Sequence, residues 1–424
     1  MSDTAVQARY VVETPFEPAK VAQIMAGEQS CGTFTRVAGE TDELRDRARA
    51  TVTAVHELPA GEAPSLPNAW LERRGVHGPW RRAHIDISFP IANFGANLAT
   101  LAATVSGNLY DLGEVTGLRL ESLTLPASFR MRFALPRLGI AGTRASIGVA
   151  AGAMVGTIIK PNVGMSAAQT ATLVKTLCEA GVDFIKDDEV CANPDHAPLS
   201  QRIPAVMAVI REHAQRTGKK VMMAFNISDD LDSMRRHADL VAQEEGTCVM
   251  ASLNYCGFSA IESLRKSTPL AIHGHRNGFG AVSRHPLLGM AYQPYQAMWR
   301  LAGVDHMHVH GLQGKFSQPD SEVISAAADS LARMSDTVDD RVLPVFSSGQ
   351  WAGTVPVTWQ SIQSQDLLFM SGGGILAHPM GAAAGVVSLR QAWAAQQEGA
   401  TLEDFACNMP ELKAALAFFG DKQS

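Results

Sequence analysis

Cysteines are few and isolated: Cys31, Cys178, Cys191, Cys248, Cys256 and Cys407 contain no CxxC pair and no metal-ligand spacing. A disulfide framework is therefore not the organising principle, and a reducing cytoplasm is the expected compartment. An excess of charge of one sign is also lacking. With 36 basic against 42 acidic residues, the net charge of −6 is too mild for a nucleic-acid or membrane-surface partner. Long apolar runs are missing: the longest, from Ile147 to Ile159, is glycine-rich, too short to span a bilayer and runs into Lys160. The first ten residues carry no apolar core of the secretory kind. Aromatics supply only 6% of the chain while aliphatic and small residues dominate, the balance of α/β proteins with buried parallel strands. At 424 residues the chain exceeds one ordinary domain, so two domains are expected.

What is present is a rhythm. From about residue 150, short apolar strands alternate with polar or glycine-rich loops and amphipathic helices. Strands are predicted to begin near Val155, Phe184, Val221, Cys248, Pro269, His306, Val342 and Asp366. The helices between them carry end signals: Ser166 and Gln169 read as a capping box, Leu173, Val174 and Leu177 as a buried stripe, and Gly181 as the stop. Pro204 to Gly218 and Ser321 to Met334 show the same three- and four-residue spacing. Eight strand–helix units predict a C-terminal (β/α)8 TIM barrel over 136–424. An open doubly wound sheet would more typically use fewer strands and a glycine fingerprint after the first, where this chain has Lys160-Pro161-Asn162. Residues 1–135 read as a smaller N-terminal α+β domain, ferredoxin-like. Its strand-like pieces are Tyr10 to Thr14, Thr33 to Val37, Ala50 to Glu57 and His84 to Pro90, with helices over Pro18 to Gly27 and Asn93 to Val105.

In such a barrel the chemistry belongs at the C-terminal strand ends. Here those ends are unusually polar for such apolar segments. Strand one ends in Lys160, and strand two in Lys186, Asp187, Asp188 and Glu189. Alternation places Lys186 and Asp188 on one face, with Asp187 opposite as a structural residue. Adjacent acids repel unless a cation sits among them, and an oxygen-only set suits Mg²⁺. Strand five carries His273, His275 and Arg276, and strand six His306, His308 and His310, followed by Gly314-Lys315. Strand seven ends in Ser347-Ser348-Gly349 and strand eight in Ser371-Gly372-Gly373-Gly374. Taken singly, a strand histidine is more often a bonded core residue and a GGG run merely a turn. Jointly, the glycine turns match a barrel phosphate site, with Lys315 and Arg276 as counter-charge. The residues alone therefore point to a Mg²⁺-dependent enzyme for a small phosphorylated substrate. Lysine and histidine would carry protons, as in abstraction of a proton beside a carbonyl.

These motifs resemble, in order over nearly the whole chain, those of the ribulose-bisphosphate carboxylase (RuBisCO) large-subunit superfamily. GTIIKP resembles its first-strand motif, which implies that Lys160 shuttles the enolisation proton. DFIKDDE resembles its metal motif, which implies that Lys186 is carbamylated by CO₂ and ligates Mg²⁺ with Asp188 and Glu189. HGHR implies proton-transferring or substrate-binding roles for His275 and Arg276. DHMHVHGLQGK implies the same for His308 and the loop residue Lys315. SSG and SGGG resemble phosphate-binding turns, giving Ser347, Gly349, Gly372 and Gly373. In the small domain GEQSCGTFT supplies Glu28 and Thr33, and SGN supplies Asn108. The resemblance implies that these complete a partner subunit's site, and hence a homodimer.

The departures point to a RuBisCO-like protein of form IV. Asn162 stands where carboxylases have a second lysine, and Phe34 where a tryptophan is usual. His310-Gly311-Leu312-Gln313 differs from the carboxylase loop. Carbon fixation is thus not expected, whereas enolisation is. Within that group, the intact polar set favours a sugar-acid phosphate, decarboxylated or subjected to carboxyl transfer and hydrolysis. The alternatives are a methionine-salvage diketo-methylthiopentyl phosphate enolase and a methylthioribulose phosphate isomerase. A reading of another class is a non-catalytic sensor or scaffold, which loss of the metal ligands would favour.

Overall fold

The computed structural model describes residues 3–32 and 37–420. Two compact units emerge, Met1–Leu135 with Gly278–Ala302, and Pro136–Asn277 with Gly303–Ser424. The first unit is built on a sheet of strands β1 (Ala5–Thr14), β2 (Thr51–Gly61), β3 (Trp80–Pro90) and β4 (Gly117–Thr124), in the order β4-β1-β3-β2 with antiparallel neighbours. Alternate residues of β3, Ala83, Ile85, Ile87 and Phe89, are buried, the period-two pattern of a sheet with one covered face. The strand expected from Thr33 to Val37 falls mostly on Thr33 to Arg36, outside the described residues.

The second unit contains a closed eight-stranded parallel barrel, as the strand count predicts. Its strands are β5 (Met154–Ile158), β6 (Phe184–Lys186), β7 (Met222–Asn226), β8 (Cys248–Ser252) and β9 (Ala271–His275). After β10, described below, come β11 (His306–His308), β12 (Leu343–Phe346) and β13 (Leu368–Met370), and β13 pairs with β5 to close the ring. Met154, Phe184, Met222, Met250, Leu343, Leu368 and Met370 fill a common core with Ile140 and Ile147 of the helix Gly139–Ile147. Each such side chain contributes roughly 1.5–3 kcal/mol by leaving water. Gly156 on β5 leaves room for the Met370 side chain and for β6: a Cβ there would lie 2.4 Å from Met370 Sδ and 3.0 Å from Phe184 O. The capping box forms as read, with Ser166 Oγ accepting from Gln169 N and Gln169 Oε1 from Ser166 N, and Gly181 ends the helix at φ 87°.

One boundary needs correction. The sequence predicts an unbroken barrel domain over 136–424, but Gly278–Ala302 groups with the first unit. The reason is a strand too short to recognise: β10 (Leu288–Met290) pairs in parallel with β4, Leu288 opposite Leu118 and Met290 opposite Leu120. Arg119 secures it by donating to the carbonyls of Ser283 and His285, and Tyr110 donates to Gly289 O at 2.6 Å.

Candidate active site

The barrel residues of the expected site are carried at or just past the C-terminal ends of strands, apart from Lys315, which lies in the loop seven residues beyond β11. β5 delivers Lys160 two residues beyond its end, and Lys186 is the last residue of β6, opposite Ile158 and Ala224 in register. Lys160 Nζ donates to Asp188 Oδ2 at 2.7 Å and to Asn162 Oδ1 at 2.6 Å. Asn162 is therefore a direct holder of the lysine rather than a bystander. Lys186 is only 1% exposed; its Nζ donates to Asp187 O at 2.9 Å and lies 3.8 Å from Glu189 Oε2. Burial holds the Lys186 amine below its ordinary range, although Glu189, Asp188 and Asp187 oppose the shift. Glu189 Oε2 also sits 3.5 Å from His275 Nε2, so it lies between the lysine and the imidazole.

Asp187 joins this cluster through its backbone carbonyl alone, and its carboxylate is engaged elsewhere. It is buried, receives Arg202 Nη2 at 3.1 Å and Asn226 N at 3.0 Å, and so anchors the acidic turn from behind. Asn226, at the end of β7, donates its amide to the carbonyls of Asp188 and Glu189. This brace could have been suspected, since FNIS ends a barrel strand in a polar residue. Arg202 sits in a helix with no sequence signal of its role.

On the opposite side of the ring the histidines meet at steep angles, 59° between His275 and His308. His275 and His308 have ring centroids 4.5 Å apart, and His308 Nδ1 lies 3.1 Å from Ser347 Oγ. Burial holds both rings in the neutral form, His275 down to about 3 and His308 well below the usual imidazole range. Arg276 donates to Gln318 Oε1, linking β9's end to the segment after β11. Lys315 N donates to Ser348 O at 3.3 Å, while Lys315 Nζ lies 5.3 Å from the Phe316 ring centroid on an exposed side chain. Gly372 abuts Lys160, its absent Cβ position being 3.9 Å from Lys160 Cε, and Gly349 lies beside Lys315 N in the same way at 3.4 Å. Gly373 faces open space. Lys160, Asn162, Lys186, Asp188, Glu189, His275, His308 and Ser347 are thus brought into one set of contacts, with Arg276, Lys315, Gly349 and the Gly372–Gly373 turn around it.

Of the small-domain residues, Glu28 ends the helix Pro18–Glu28, Asn108 opens a 3₁₀ turn, and both are exposed on the first unit. Thr33 lies outside the described residues. Among the described residues, no three His, Cys, Asp or Glu side chains are grouped to hold a metal, and no helix is long and apolar enough to cross a membrane.

The models of the ribulose bisphosphate carboxylase large chain match this sequence in two segments, the N-terminal domain over residues 2–129 and the catalytic domain over 139–419. The chain belongs to the RuBisCO large-chain family. Within it, the chain is 47% identical to the 3-oxo-isoapionate-4-phosphate transcarboxylase/hydrolase of Xanthobacter autotrophicus over 414 residues, covering 98% of this chain and 99% of that protein. It is 40% identical to a 3-oxo-isoapionate-4-phosphate decarboxylase of Rhizobium rhizogenes over 419 residues, covering 98% and 99%. A crystal structure of a rubisco-like protein from Burkholderia fungorum superposes with a TM-score of 0.93 at 63% identity, covering 98% of this chain and 100% of that one. The expected RuBisCO-like assignment and the barrel with its separate antiparallel-sheet domain therefore both hold.

Proposed function

We propose that this chain is a Mg²⁺-dependent RuBisCO-like enzyme that cleaves a small phosphorylated 3-oxo sugar acid of the 3-oxo-isoapionate 4-phosphate type, without fixing CO₂. The observation that carries the reading is Lys186. A neutral amine is the form that adds CO₂, and burial favours that form here. The donor set fits a hard cation: Asp188 and Glu189, which lie beside Lys160 and Lys186, would supply two oxygen ligands, and a carbamate on Lys186 would supply the third. Bound there, Mg²⁺ would polarise a ketone oxygen and stabilise negative charge developing on it.

The chain's own residues account for the rest. A carboxylate β to a ketone departs as CO₂, or is passed to an acceptor, and the electron pair of the broken C–C bond stays behind as an enolate, which then needs a proton. Lys160, held between Asp188 and Asn162, would carry that proton. Neutral His275 and His308 bind and orient hydroxyl groups rather than repel the cation. Backbone N–H groups of the turns at Gly349 and Gly372–Gly373, with Ser347, hold the phosphate, while Arg276 and Lys315 balance its charge. Asn162, polar but uncharged, leaves no second ammonium beside the enolate, which argues against carboxylation.

The deciding experiment incubates enzyme with Mg²⁺, bicarbonate and synthetic 3-oxo-isoapionate 4-phosphate, with products followed by phosphorus and carbon NMR. CO₂ release identifies a decarboxylase, and cleavage without it a carboxyl-transferring hydrolase. Turnover of the diketo-methylthiopentyl phosphate in its place would overturn the substrate class. The enzyme is further proposed to be a cytoplasmic homodimer in which Glu28, Thr33 and Asn108 serve the partner's site. Mixing inactive Lys186→Ala and Asn108→Ala chains should then restore part of the activity, because one site of a mixed dimer is whole. No restoration at any mixing ratio counts against shared sites.

A further inference from the structure

The barrel interior holds a continuous chain of side-chain hydrogen bonds of which the proposed chemistry uses only one end. It starts on the helix Gly139–Ile147, where the Thr143 hydroxyl donates to Gly139 O at 2.6 Å. Thr143 Oγ1 lies 2.7 Å from His306 Nε2, and His306 Nδ1 lies 3.3 Å from His273 Nδ1. His273 Nε2 is 2.8 Å from His308 Nε2, and His308 Nδ1 is 3.1 Å from Ser347 Oγ. Thr143, His306 and His273 are fully buried, and Phe184 packs on both of those rings at 5.2 and 5.7 Å.

Counting hydrogens settles the direction of every bond. A hydroxyl has one hydrogen, and Thr143 has given it to Gly139 O, which can only accept. His306 must therefore donate from Nε2 to Thr143. A neutral imidazole carries one N–H, so His306 Nδ1 is bare and accepts from His273 Nδ1. His273 Nε2 is then bare and accepts from His308 Nε2. What remains is a bare His308 Nδ1, which accepts the hydroxyl hydrogen of Ser347. The premise of neutrality is met by burial, which pushes His306 down to about 4 and His273 and His308 well below the ordinary range. The Ser347 end fixes nothing, because a serine can donate or accept equally well; the Thr143 end fixes everything.

We propose that Thr143, His306 and His273 are positioning residues that set the tautomer of His308 from the closed end of the barrel, so that its bare nitrogen faces Ser347. The tautomer claim is independent of the function proposed above, and only its consequence for turnover rests on that reading. In the wild-type protein, neutron diffraction or ¹⁵N-imidazole NMR, with His308 assigned by its loss in His308→Gln, should show Nε2 protonated and Nδ1 bare. Thr143→Val keeps the shape and removes the acceptor, so His308 should populate both tautomers; Thr143→Ser should restore the wild-type spectrum. On the enzyme's substrate, Thr143→Val should lower kcat about fivefold, the equivalent of one net hydrogen bond, with KM within about twofold. A protonated Nδ1 on wild-type His308, or a Thr143→Val spectrum identical to wild type, overturns the proposal. A shifted tautomer with unchanged kcat removes the positioning role. If Thr143→Val does not fold, the wild-type spectrum still decides the tautomer.

Discussion

At the scale of single residues, Lys160 and Lys186 are the same side chain put to opposite uses by their surroundings. Lys186 is enclosed and held toward its neutral form, whereas Lys160 is part exposed and ion-paired to Asp188. Replacing Lys186 by alanine should weaken Mg²⁺ binding by about a hundredfold or more and abolish turnover, since it removes a ligand. Calorimetry with Mg²⁺ and bicarbonate reads this, and unchanged affinity would refute the carbamate. Lys160→Ala should not weaken Mg²⁺ binding, since it removes a cation paired to Asp188, and should slow exchange of the product's proton beside its carbonyl with solvent deuterium by about 10²–10⁴. Undiminished exchange would move the proton carrier elsewhere, with His275 the next candidate. Both lysines were legible in the sequence, because a charged residue at the end of an apolar strand needs a reason. Thr143 and Arg202 were not: Thr143 meets His306 across 163 positions of chain, and nothing local marks it.

At the scale of elements, strands with apolar runs and helices with caps were readable, and the eight barrel strands formed where polar punctuation had placed them. β4 and β10 escaped. β10 has three residues, Leu288-Gly289-Met290, and owes its existence to a partner 170 residues earlier in sequence rather than to its own propensity. The segment after β11 shows how closely a loop can be fitted: a Cβ on Gly314 would lie 2.8 Å from both Gly311 O and Ser348 O. Gly314→Ala should displace Lys315 from the β12 turn at a cost of about 1–3 kcal/mol, raising KM about tenfold while the melting temperature falls by only a few degrees. Steady-state kinetics beside a thermal melt separates this from general unfolding, and an unchanged KM would show that Lys315 does not reach the substrate.

At the scale of the whole molecule, the buried histidines tie stability to pH. His275 and His310 are held at about 3 and His306 at about 4 by burial, against an ordinary 6.5. Below that ordinary value the unfolded chain binds protons that the native barrel refuses. Stability is therefore fully present above about pH 6.5 and falls as pH drops toward the folded values. His306 alone accounts for about 3 kcal/mol across that window. Urea midpoints should decline steadily from neutral pH toward pH 4, and a flat profile would show that these rings take up protons as readily in the native state as in the unfolded chain.

The placement of 278–302 has a consequence for inheritance. Because β10 returns to β4 from inside the barrel's own stretch of chain, the gene has no single joint at which the two folds separate. A cut after Leu135 would leave β4 with an open edge and send an orphaned strand away with the barrel. Recombination among relatives that carries the small unit intact must move two segments at once. The two units are thus coupled as units of exchange, a constraint written in the chain's path and not in any one contact.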